Sequence, residues 1–130
     1  MSIAYGFERT LPGVSFADAV TRTTEALKAE GFGVLSEIDI AGALKKKLDV
    51  DFRPYLILGA CNPVLAHKAL QAEPQIGLML PCNVVVQAAE GGTTVSIADP
   101  KAMFTIVENP TLVEVANDAD ARLRRVIAAI

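Results

Sequence analysis

Hydrophobic positions along the chain switch between a spacing of two and a spacing of three to four, and each switch marks an element. Ile3, Tyr5 and Phe7 alternate with their neighbours and predict a first strand over Ile3–Arg9. Leu11-Pro12-Gly13 ends it as a turn. Phe16, Val20, Thr23 and Leu27 then recur every three or four residues, the pattern of an amphipathic helix over Ser15–Glu30. Ser15 is placed to cap that helix, with Asp18 three residues on, and Gly31 sits where a left-handed glycine ends a helix. Val34–Asp39 alternates again as a strand. Val34, Ser36 and Ile38 share one side; Leu35, Glu37 and Asp39 share the other, which predicts a wet sheet face. Ile40, Leu44 and Leu48 follow on one face of a short helix, with Lys45, Lys46 and Lys47 beside and opposite.

The second half is punctuated by proline. Pro54 suits only a strand start or an edge, so Tyr55–Cys61, apolar on both faces, begins after it and takes an interior place in the sheet. Asn62-Pro63 starts a helix: the Asn caps, and the Pro fits the first helical position. That helix runs to about Glu73 and stops before Pro74. Ile76–Leu80 reads as a buried turn or a short extended piece. Asn83–Ala88 and Thr93–Ala98 are strands joined by a Gly91-Gly92 turn. Asp99-Pro100 opens a short helical turn and Asn109-Pro110 opens the last helix. Leu112, Ala116, Ala119, Leu123, Val126 and Ile130 carry its buried stripe. Its acidic residues come early and its arginines late, as the helix dipole favours. The order is β-α-β-β-β-β-α with short inserted helices. Strands cluster in the middle and long helices near the ends, so the fold class is α+β, in one domain over residues 1–130.

Composition changes this picture in one respect. Of the 130 residues, 52% are hydrophobic. Counted with Gly and without Tyr, the share is roughly 57% against about 45–50% in ordinary domains. A small domain has too much surface per volume to hide such an excess, so a homodimer is expected. No apolar run reaches membrane-spanning length, and the N-terminus lacks a basic segment followed by an apolar one, so no membrane partner and a cytoplasmic location are expected. The net charge of −3 and the scarcity of aromatics argue against a nucleic-acid partner. Phosphate-loop, dinucleotide, zinc-protease and hydrolase motifs are absent.

The segment GACNPVLAHKALQAEPQIGLMLPCNVVV (Gly59–Val86), with GFGVLSEIDI and LKKKLDVDFRPY before it and ADP at Ala98–Pro100 after it, resembles the bacterial and archaeal domain-of-unknown-function family number 302. The resemblance covers nearly the whole chain. It implies a small α+β domain with a curved antiparallel sheet of the TATA-binding-protein-like type, helices on one face, and a homodimer. It implies no activity.

Candidate chemistry rests on two cysteines and one histidine. Cys61 ends one predicted strand and Cys82 precedes the next. If these strands are antiparallel neighbours, both thiols lie at one end of the sheet. Each is followed by an asparagine, Asn62 and Asn83; Asn62 has a capping role and Asn83 none that the sequence reveals. Cys61 also stands just before a helix N-terminus, where exposed N–H groups stabilise a thiolate. Three readings follow. Cys61 and Cys82 form a dithiol for a soft metal ion such as Cu(I) or Zn, or for a sulfur species, in a binding or carrier module. Alternatively, Cys61 is a nucleophile with His67 as base in a thiol-dependent enzyme. In the third, both cysteines are packing residues of a protein-interaction domain. Lys45 and Arg53 belong to the densest basic cluster, a solvated face or a site for an anionic ligand. Glu37 and Asp39 are an acid pair that an exposed strand explains more simply.

Overall fold

The computed structural model describes residues 2–130. Six strands form one sheet in the order β1-β2-β6-β5-β4-β3. They are β1 (Ser2–Ile3), β2 (Gly6–Pro12), β3 (Gly33–Asp39), β4 (Tyr55–Cys61), β5 (Cys82–Ala89) and β6 (Gly92–Ala98). Every neighbouring pair is antiparallel. Helices α1 (Phe16–Ala29), α2 (Ile40–Leu48), α3 (Pro63–Ala72), α4 (Pro100–Phe104) and α5 (Pro110–Ala129) interrupt the strands or follow them. The α+β class and the order of elements are as the sequence indicates. One difference lies at the start, where the expected single strand Ile3–Arg9 is broken at Ala4-Tyr5 into a tight hairpin and then continues through Pro12.

The core is a single layer between one sheet face and the helices. Alternate residues of the strands (Phe7, Leu11, Leu58, Ala60, Val84, Val86, Val95, Ile97) meet Ala19 and Leu27 of α1, Leu65 and Ala69 of α3, and the α5 stripe. All six residues predicted for that stripe are buried. α1 ends as expected. Gly31 takes φ +85°, Gly31 N–H donates to Lys28 O and Phe32 N–H donates to Leu27 O, which satisfies two orphan carbonyls. Among the described residues no helix of the core layer covers the opposite sheet face. It presents Thr10, Thr94, Ser96 and Gln87 beside Ile57 and Val85, the mixed surface of a one-sided antiparallel sheet.

Two expectations need correction near the β3 edge. A bulge between Val34 and Ser36 leaves Leu35 out of the ladder. Val34 therefore shares a face with Glu37 and Asp39, and Ser36 with Ile38, so the side assigned to Val34 in the simple alternation is wrong. The helix α2 has no buried residue, and Leu48 of its predicted stripe is 65% exposed. Asp39 is its N-cap, its Oδ1 accepting from Gly42 N–H at 2.9 Å.

Candidate functional site

The two thiols do come to the same end of the sheet. β4 and β5 are antiparallel neighbours, and Cys82 lies directly opposite Ala60. That register has a second consequence. Cys82 shares the helix-covered face of Ala60, whereas Cys61 is the next residue along and lies opposite Gly33 at the end of β4. The one-residue offset keeps the two cysteines from being direct cross-strand partners. Both cysteines nevertheless border one small cavity of about 30 Å³, walled by Phe32, Leu65, Leu80 and Phe104. Such a space holds about two water-sized particles. Besides the thiols, Asn62 is the one polar side chain around it among the described residues.

Asn62 explains the local fold. Its Oδ1 accepts from Leu65 N–H at 3.2 Å and caps α3, while its Nδ2 donates to Glu30 O at 3.5 Å. Arg122 Nη1 donates to the same Glu30 carbonyl at 3.2 Å. The cap therefore ties α3 to the end of α1 and to α5, and one of the free N–H groups beside Cys61 is already satisfied. Asn83 is exposed at the start of β5, opposite Gly59. Close approach is why Gly59 is glycine: a Cβ there would run into Ser36 Oγ and lie 2.8 Å from Pro81 Cγ.

The thiol electrostatics run against the expectation of a stabilised thiolate. Burial pushes the Cys61 thiol up from its ordinary value. Cys82 is pushed up to about 11, first by burial and then by the repulsion a Cys61 thiolate would exert. At both positions burial disfavours the thiolate. His67 is exposed on α3 and does not border the cavity, so the structure does not bring the expected base to the nucleophile. Among the described residues no group of three or more His, Cys, Asp or Glu could hold a metal ion. Lys45 and Arg53 lie at the other end of β4. Lys45 pairs with Asp49 at 3.0 Å and Asp51 at 3.3 Å, and Arg53 donates to Gln87 Oε1 at 2.9 Å.

What the sequence missed is the surface over the thiol end. The segment Pro74–Met79 is a 3₁₀ turn that buries Ile76 but leaves Leu78 86% exposed. Ile106, in the connection between α4 and α5, is 77% exposed. Leu78, Met79, Ile106 and Val107 line one groove with Glu73 and Glu108 on its rim, and Val107 and Glu108 also line a second groove that reaches Phe104 and Val113. These residues form a continuous apolar strip. Apolar residues inside turns between two prolines were the available signal, but helical or strand periodicity does not register them.

A family model described as a domain of unknown function, DUF302, matches residues 7–130. The chain belongs to the DUF302 family. The crystal structure of an uncharacterized conserved DUF302 protein from Bacillus stearothermophilus is similar at a TM-score of 0.87 and 30% identity, covering 96% of this chain and 97% of that one. No curated protein matches. No helix of the described residues is long and apolar enough to cross a membrane.

Proposed function

We propose that this DUF302 protein is a homodimeric binding module that acts through its surface, with Cys61 and Cys82 as packing residues beneath the contact. The carrying observation is the exposed apolar strip of Leu78, Ile106 and Val113, joined by half-buried Val107, on the thiol end of the sheet. An apolar surface of this kind with a polar rim marks an association site. Charge favours a second copy as its occupant. Glu73 and Glu108 rim the strip, while Lys68 is exposed on α3, the helix that leads into the 3₁₀ turn. In a two-fold contact the acids of one copy would face the lysine of the other, the reciprocity of an isologous interface. The burial that disfavours both thiolates, and the place of His67 outside the cavity, support the same reading.

Light scattering on the purified chain tests the association. A dimer is expected for the wild type, and a folded monomer for Ile106→Glu, a surface change that leaves the core untouched. A wild-type monomer at tens of micromolar, the range of an ordinary weak interface, overturns the proposal. Thiol labelling and elemental analysis test the cysteines: slow labelling, slowest at Cys82, and no retained metal are expected. A soft metal held in stoichiometric amount, or a Cys61 that reacts faster than free cysteine, would instead establish the dithiol carrier or the thiol enzyme.

A further inference from the structure

The sulfur atoms of the described residues gather at one end of the molecule. Besides the methionine that starts it, the chain holds Met79, Met103 and the two cysteines. Met79 ends the 3₁₀ turn that carries Leu78, and Met103 belongs to α4. Both border one small space of about 40 Å³ together with Cys82. The buried hydrophobic core, by contrast, is built of Leu, Ile, Val, Phe and Ala, with no methionine among the described residues. The two methionines are not equivalent. Met79 also borders the groove of Leu78, Ile106 and Val107, so it forms part of the wall that a second copy covers. It is half-buried, with the core packed against its inner side. Met103 is exposed beside the strip but borders neither of its grooves.

We propose that Met79 is a peroxide-sensitive latch on the dimer: hydrogen peroxide oxidises its thioether in the separated protomer, and the sulfoxide keeps two copies apart. The inference rests on the dimer proposed above. In the reaction the thioether sulfur attacks one peroxide oxygen. An S–O bond forms and the O–O bond breaks. Sulfur gives up two electrons, the proton of the attacked oxygen passes to the other oxygen, and water leaves. A thioether needs no deprotonation to react, so it escapes the penalty that burial places on the Cys61 and Cys82 thiolates. The product is polar and chiral where the starting side chain was apolar. Covering it with a second apolar strip takes water away from the new oxygen, and a two-fold contact incurs that cost twice. Association in turn covers the sulfur. The reduced dimer therefore protects itself, and the separated protomer is the species that reacts.

The test treats the full chain with hydrogen peroxide at a low and a high protein concentration. Peptide mass spectrometry follows each methionine, and light scattering follows assembly. Met79 is expected to oxidise more slowly at the high concentration. The chain oxidised there should keep its circular dichroism while its dimer weakens by about tenfold or more. Methionine sulfoxide reductases of both stereospecificities should restore the dimer. Met79→Leu, a change that conserves volume, should stay dimeric through the treatment, whereas Met103→Leu should dissociate as the wild type does. A wild-type dimer that survives full oxidation of Met79, or a Met79→Leu dimer that dissociates in peroxide, overturns this proposal and leaves the dimer standing. A chain that is monomeric before peroxide is added overturns both.

Discussion

Thr23 shows how a single side chain can be placed correctly by pattern and still hold a surprise. Its position on the α1 stripe marks it for burial, and it is fully buried. Its neighbours Thr21 and Thr24 return their hydroxyls to Ala17 O and Val20 O, but Thr23 Oγ1 has no partner among the described residues. A buried hydroxyl without a partner costs about 1–3 kcal/mol. Thr23→Val keeps the shape and removes the oxygen, so it should raise stability by about 1 kcal/mol, seen as a higher urea midpoint at unchanged slope. A lower midpoint would mean that the hydroxyl is satisfied in solution. The same limit governs Cys61. Its place before a helix N-terminus was legible, and so was the antiparallel pairing that carries Cys82 to the same end. Desolvation was not legible, because it depends on Phe32, Leu65 and Phe104 arriving from three separate segments. Nor was the one-residue offset that keeps the two from being direct cross-strand partners.

At the scale of elements, caps were the most readable feature. Ser15, Asn62, Asp99 and Asn109 all accept from the first turn of the helix each was expected to open. Asp39 was overlooked as a cap because alternation had enrolled it in the strand. How the helices are tied to one another was not readable either. Glu30 at the end of α1 meets Arg125 of α5 at 2.9 Å, an ion pair between residues far apart in sequence. The hydrogen bond from Arg125 holds the Glu30 carboxyl below its ordinary range, and the Coulomb attraction of Arg125 and Arg122 adds to it. The unfolded chain therefore binds its proton at higher pH than the folded one does. The stability contributed is present above the ordinary glutamate range and is lost as pH falls through the lowered folded value. Glu30→Gln should accordingly lower the thermal midpoint at neutral pH and narrow the gap to wild type in acid. Added salt should shrink the neutral-pH difference, since the pair is at the surface. A gap that widens on acidification would show that the pair does not act in this sense.

For the molecule as a whole, the apolar excess was plain in the composition, but its destination was not. A sheet with helices on one face might have hidden the surplus on the other, yet that face is studded with Thr10, Thr94, Ser96 and Gln87 and suits water. Part of the surplus lies instead at the sheet end, on the 3₁₀ turn, the α4–α5 connection and the first turn of α5, at Leu78, Ile106 and Val113. Exposure of a turn residue is decided by how the turn lies on the packed body, which no local spacing encodes. If a second copy covers that strip, folding and association are linked. Only the folded chain presents the strip, so association draws the folded state forward and the thermal midpoint must rise with protein concentration. Ile106→Glu severs the link without touching the core: its midpoint should be independent of concentration and should meet the wild-type value at high dilution. A wild-type midpoint that stays constant over a hundredfold concentration range, about 2.7 kcal/mol of available linkage, would leave the strip without a partner of its own kind.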